Sequence, residues 1–168
     1  MNAPIGNTER RSSVTEHRVE VRVEVVDWAS WEPAIRAIRE AVFMVEQGVP
    51  EELEWDGIDA SCAHVLAWSN HGEAIGTARM QSDGKIGRMA VLKNWRGSGV
   101  GEALLQTLLN LAEKQSLSRV TLAAQTHAVG FYERAGFHVV GDQFMDAGIP
   151  HRMMVRELLL PQADPERR

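Results

Sequence analysis

The sequence predicts an α/β fold: a mixed, mostly antiparallel central sheet of about seven strands flanked by helices. Three observations carry that prediction. Val19, Val21, Val23 and Val25 alternate with charged residues, the period-two pattern of a half-buried strand. Residues 63–92 are short apolar segments broken by tight turns, which read as an antiparallel meander. Residues 89–105 then read as a buried strand, a glycine-rich turn and an amphipathic helix. A short apolar stretch follows at 119–124, the pattern of a parallel right-handed crossover.

Taken in order, residues 1–16 are polar and read as a disordered leader. Residues 17–160 form one domain, and 161–168 a frayed, charged tail. The first strand carries both charge signs on its outer face, which suits a near-edge position. Ser30 looks like an N-cap, with Glu32 and Pro33 in the first turn. Trp31, Ile35, Ile38, Val42 and Val45 follow at steps of three and four, so the helix ends near 46–48. Arg36, Arg39 and Glu40 lie off that stripe and read as a solvated face. Glu46, Glu51, Glu52, Glu54, Asp56 and Asp59 then form an acidic run uninterrupted by Lys or Arg. Such acidic loops are often solvated surface; Leu53 and Trp55 among them point also to a packed, functional loop. Strands at 63–69, 74–82 and 85–92 are separated by Asn70-His71-Gly72 and Ser82-Asp83-Gly84. A helix spans Val100 to about Ser116, a strand 119–124, and a short helix 128–134. Gly136 closes that helix in a left-handed position. Another strand begins at Phe137, Gly148-Ile149-Pro150 turns, and the last strand covers 153–160.

A formal net charge of −5 provides no global basic field, so nucleic acid and anionic membrane are not expected partners. Cys62 is the single cysteine, which excludes an intramolecular disulfide and a cysteine-cluster zinc site. No apolar run approaches membrane-spanning length, and the N-terminal stretch has no signal core. A cytoplasmic protein is expected, and self-association into a homodimer is compatible with this composition.

The chemistry concentrates at the glycine turn. Gly97, Gly99 and Gly101 let the backbone turn tightly and let a ligand approach. The helix they open presents unpaired N–H groups and partial positive charge, a ready anion site. Arg96 adds a planar cationic fork suited to phosphate. A pyrophosphate is the simplest ligand. A dinucleotide fingerprint starting at Gly97 would need glycine at Glu102, and no Gly-Lys-Ser/Thr follows for a P-loop. What remains is Arg96-x-x-Gly99-x-Gly101. This stretch resembles the Arg/Gln-x-x-Gly-x-Gly/Ala signature of the GNAT N-acetyltransferases. Gln125-x-x-Ala128-Val129-Gly130-Phe131-Tyr132-Glu133-Arg134-Ala135-Gly136-Phe137 resembles the second motif of that family, Asn-x-x-Ala-x-x-x-Tyr-x-x-x-Gly-Phe. The matched core spans 86–140.

The resemblance implies an acyl-CoA N-acyltransferase fold that uses acetyl-CoA and needs no metal. Arg96, Gly97, Ser98, Gly99, Val100, Gly101 and Glu102 would hold the pyrophosphate. Gln125, where the family usually has Asn, would hold the pantetheine arm, with Ala128 and Phe131 completing that side. The family also splays its fourth and fifth strands around the pantetheine. A backbone N–H among Met89, Ala90, Val91 and Leu92 would then face the thioester carbonyl. Tyr132, the only tyrosine, would place its hydroxyl beside the leaving sulfur. The general base is left open among Glu46, His64, His71, His127, His151 and a water relay. Glu46, at the end of the first helix, is the preferred choice. The acidic run beside it predicts a small, cationic primary amine, attacking directly in a ternary complex. A non-catalytic acyl-CoA-sensing module of the same fold is the alternative.

Overall fold

The computed structural model describes residues 20–159; the leader and tail expected at 1–16 and 161–168 lie outside the described residues. One seven-stranded sheet organises the chain, in the order β1-β2-β3-β4-β5-β7-β6. Its strands are β1 (Arg22–Val26), β2 (Ala63–Trp68), β3 (Ala74–Met80), β4 (Lys85–Val91), β5 (Arg119–Gln125), β6 (His138–Asp146) and β7 (Ile149–Glu157). Every neighbouring pair is antiparallel except β4 and β5. The helices are α1 (Trp28–Arg39), α2 (Glu51–Glu54), α3 (Val100–Lys114) and α4 (Val129–Arg134). The architecture and the order of the main elements match the expectation from sequence. β1 lies at a sheet edge, as its mixed charges suggested.

The two faces are covered unequally. Ile35, Ile38 and Val42 pack with Leu66, Trp68 and Ala90 on one face. Val100, Leu104, Leu105, Leu108 and Leu109 of α3 pack on the other, where Ile86, Val120, Leu122, Ala124 and Met154 meet them. Phe131 and Tyr132 of α4 pack against this second cluster. Thus α1 covers one side of the sheet, and α3 with α4 the other.

Three local expectations are corrected. The α1 cap is Asp27, whose carboxylate accepts the Ser30 N–H at 2.9 Å, so Ser30 lies inside the first turn. Arg39, expected on a solvated face, is only 1% exposed. The β6–β7 turn is Ala147-Gly148, with φ of +49° and +73°. Two consecutive positive φ values make the two-residue hairpin that matches strand twist. Ile149-Pro150 therefore opens β7 instead of forming the turn, which draws His151 into a strand.

β4 carries a feature with no counterpart in the sequence pattern. Thr77 pairs with Ala90 and Arg79 with Gly87, so Arg88 and Met89 together oppose Ala78. This is a β-bulge, and Arg88 sits in it at φ +47°. A seven-residue π-helical continuation of α1 (Glu40–Glu46) is likewise unforeseen.

Candidate active site

β4 and β5 pair only at Lys85↔Thr121 and Ile86↔Leu122. Beyond that point they diverge, and a cleft of about 580 Å³ opens at the middle of the sheet. Its walls include Met89, Val91, Gly101, Gln125, Phe131, Tyr132 and His151. The splay implied by the family resemblance is thus present.

The glycine turn borders this cleft. Gly97 and Gly99 have φ of +76° and +90°, a region that disfavours any residue with a Cβ. The first bond inside α3 runs from Ala103 N–H to the Gly99 carbonyl at 3.0 Å. The N–H groups of Val100, Gly101 and Glu102 precede it, and Gly99 has no side chain to cap them. Val100 contributes only its backbone, because its side chain is buried in the core. The Glu102 side chain is exposed. A Cβ on Gly101 would meet the Phe131 ring at 3.5 Å, which shows how closely α3 and α4 approach.

Leu92 N–H donates to the Ile75 carbonyl of β3 at 2.9 Å. Successive peptide N–H groups along a strand point to opposite sides, so that of Val91 points away from β3, toward the gap. The Val91 carbonyl shares that side and accepts Arg96 Nε at 2.9 Å. Leu92 thereby drops out of the candidates for the thioester-facing N–H.

Arg96 also makes a bidentate pair with Glu46, both contacts at 2.9 Å. Three of its five N–H groups are engaged, leaving two for an anion. The Arg96 hydrogen bond holds the Glu46 carboxyl below the ordinary carboxylate range. A carboxylate so fixed is a poor proton acceptor, so the structure argues against Glu46 as the general base. We expect Glu46→Gln to leave the acidic limb of the turnover–pH profile in place; a shifted limb would restore its basic role. Its neighbour Gln47, missed in the sequence, accepts the Gln125 amide at 2.9 Å. Adjacent residues at the end of the π-helical turn thus hold the cofactor-motif side chains on both sides of the gap.

Tyr132 donates to Met89 Sδ at 3.7 Å, and burial lifts its phenol to about 12. Ala128 ends the turn that leads into α4 and lines the cleft. Of the histidines, His64 is buried on β2, where Nε2 donates to the Asp59 carbonyl at 2.8 Å. His71 sits in the β2–β3 turn, remote from the cleft. His127 and His151 line it.

Four of the six carboxylates of the acidic run, Glu46, Glu54, Asp56 and Asp59, are paired with arginines. Arg39 Nε meets Glu54 and Arg39 NH1 meets Asp59, both at 2.6 Å. Arg79 pairs with Asp59 at 2.8 Å and with Asp56. Arg88 NH2 donates to the carbonyls of Leu53 and Glu54, each at 3.1 Å. Hydrogen bonding from Arg79 draws the Asp56 carboxyl down to about 2, whereas burial pushes that of Glu54 up. Three carboxylates thus meet three arginines from α1, β3 and β4. The sequence shows none of this, because the arginines lie far from the acidic run along the chain.

A splayed parallel pair leading to a glycine-opened helix is the arrangement that the resemblance to the GNAT family implies. The acetyltransferase (GNAT) domain family matches residues 19–158, and this chain belongs to that family. It is 36% identical to the uncharacterised N-acetyltransferase YjcF of Bacillus subtilis over 124 residues, covering 71% of this chain and 88% of YjcF. The crystal structure of Escherichia coli ElaA superposes with a TM-score of 0.73 at 31% identity, covering 82% of this chain and all of ElaA. A GNAT acetyltransferase of Elizabethkingia anophelis, solved with acetyl-CoA bound, shares the fold at 17% identity. Its TM-score is 0.62, over 82% of this chain and 98% of that one. Among the described residues no helix is long and apolar enough to cross a membrane. No group of three or more metal-ligating side chains occurs there either.

Proposed function

We propose that this acetyltransferase moves the acetyl group of acetyl-CoA to the primary amine of a small acceptor, by direct attack in a ternary complex. The observation that carries the proposal is the gap between β4 and β5, which runs to the unpaired N–H groups opening α3. A pyrophosphate at that helix end is met by partial positive charge and by the two free N–H groups of Arg96. The pantetheine arm then lies between the strands, beside Gln125. The Val91 N–H faces the thioester carbonyl and stabilises the oxyanion that forms there. Tyr132 donates a hydrogen bond to the departing sulfur.

Of the carboxylates that suggested a cationic acceptor, Glu54, Asp56 and Asp59 are paired with Arg39, Arg79 and Arg88. With these three engaged, the proposal names a small amine without requiring further positive charge on it. Thiol release from acetyl-CoA across a panel of cationic, neutral and anionic amines tests this reading. We expect turnover with at least one small amine. Binding of acetyl-CoA without turnover on any acceptor would mark the sensing module instead. Calorimetry supplies a second check: Arg96→Ala should weaken acetyl-CoA by ~1.5–3 kcal/mol, the range for hydrogen bonds to charged groups. Unchanged affinity would remove Arg96 from the site.

A further inference from the structure

The gap has two sides, and Tyr132 occupies only one. Val120, Leu122 and Ala124 point to the α3 face, so Thr121, Ala123 and Gln125 point to the α1 face. Gln125 pairs directly with His151 across the β5–β7 ladder. Directly opposed residues share a face, so His151 lies on the α1 side, while Tyr132 packs with the α3 cluster on the other. The cleft contacts both residues. α1 packs over β2, β3 and β4, and the cleft reaches this part of the face between them and β7.

The imidazole is held in one tautomer. His151 Nδ1 lies 2.7 Å from the Ile149 carbonyl. A carbonyl oxygen only accepts, so Nδ1 carries the hydrogen and neutral Nε2 carries the lone pair. The Phe144 ring stacks on the imidazole at 5.8 Å and 23° between planes, and the side chain as a whole is 8% exposed. Nε2 has no hydrogen-bond partner among the described residues. Nε2 is not fully buried, and the residue lines the cleft. An oriented ring with a free basic nitrogen at a cleft wall is the arrangement general-base catalysis requires.

We propose that His151 is the general base of this acetyltransferase, acting from the face opposite Tyr132. This rests on the acetyl-transfer reading above. The acceptor nitrogen attacks the thioester carbonyl carbon and forms the C–N bond. His151 Nε2 takes the proton that the nitrogen loses. The C–S bond then breaks with its electron pair on sulfur, toward the Tyr132 hydroxyl, and the imidazolium returns its proton to solvent. Base and leaving-group donor thus flank the thioester from opposite sides of the sheet, and attack and departure do not compete for one position. The cleft's other titratable or charged groups are Asp146 from the hairpin end, His127 beyond β5, Lys85 and Arg88 on β4, Arg79 on β3, Glu54 and Asp56 from the acidic run, Arg96 and Tyr132. None of them is hydrogen-bonded to His151.

The test compares wild type with His151→Gln and His151→Ala, using an acceptor identified by the amine panel. We expect turnover to fall ~10²–10⁴-fold, the usual contribution of a general base. The acidic limb of log kcat/KM should disappear from both variants, and acetyl-CoA affinity should hold within about twofold. Added imidazole should restore part of the His151→Ala rate. Variants that retain wild-type turnover and the same acidic limb would overturn the proposal and leave the acetyl-transfer reading intact. A wild type that binds no acetyl-CoA would overturn that reading first. Nitrogen-15 spectra of the wild-type imidazole give a measurement independent of turnover. A proton on Nε2 of the neutral ring would overturn the assignment, and a proton on Nδ1 would support it.

Discussion

Arg39→Met should lower the free energy of unfolding by about 3–5 kcal/mol, the range for breaking a buried ion pair from one side. Arg39 is 1% exposed and bonds Glu54 and Asp59, which are also buried. Removing the guanidinium leaves the Glu54 carboxylate without its closest cation. In a domain of this size the melting temperature should fall by roughly 10 °C. Thermal or urea unfolding measures the loss, and a variant within about 1 kcal/mol of wild type would show that the network is dispensable. The pH dependence has a defined sign at Asp56. Its carboxyl is held at about 2, below the unfolded value of about 3.9. The stability it contributes is present above pH ~4 and is lost as the pH falls toward 2. Acid should therefore loosen the 50–62 segment, and with it one wall of the cleft.

Tyr132→Phe should reduce kcat by about a hundredfold, the lower end of the range for removing one hydrogen-bond donor from a developing anion. The phenol sits at about 12, whereas a free thiol sits at about 8.5. Complete transfer to the departing thiolate is uphill by more than a thousandfold, so the hydroxyl acts as a hydrogen-bond donor that keeps its proton. Its role then adds no limb to the pH profile in the working range. The ring still packs edge-on against Phe131 at 5.0 Å and Phe137 at 5.9 Å in the variant, so acetyl-CoA affinity should change little. Pre-steady-state thiol release separates the chemical step from binding. An unchanged rate would reduce Tyr132 to a packing residue.

What was legible in the sequence is what repeats or what must be glycine. The stripe of α3 and the left-handed Gly97, Gly99 and Gly136 each report a local backbone demand, and each is found where expected; the valine alternation holds only in part, since Val19 lies outside the described residues and Val25 is exposed. The site partners that escaped depend on contacts between distant segments. Arg39 and Glu54 are 15 residues apart, Glu46 and Arg96 are 50, and Gln47 and Gln125 are 78. No periodicity connects such pairs. The acidic run therefore read as free charge, and Arg39, off the apolar stripe, read as solvated. The sequence marks His151 only as following a Gly-Ile-Pro turn that could border the cleft, because a turn placed too late leaves it outside any strand. The hairpin at Ala147-Gly148 puts it opposite Gln125, and only the ladder register assigns it a face.

The bulge in β4 has a consequence for how much chain the strand needs. Ile86 belongs to the α3 cluster and Ala90 to the α1 cluster, although they are four residues apart. In a regular strand residues four apart share a face, and residues three apart do not. A strand one residue shorter would thus seat both side chains where they now lie, with no residue in the left-handed region. Core packing alone does not call for the surplus residue, and its φ of +47° carries a strain of order 1–3 kcal/mol. What the surplus adds is a bend where β4 parts from β5, and an arginine turned toward the carbonyls of Leu53 and Glu54. The strand is one residue too long for its core, and that residue lies where the sheet opens to form its cleft.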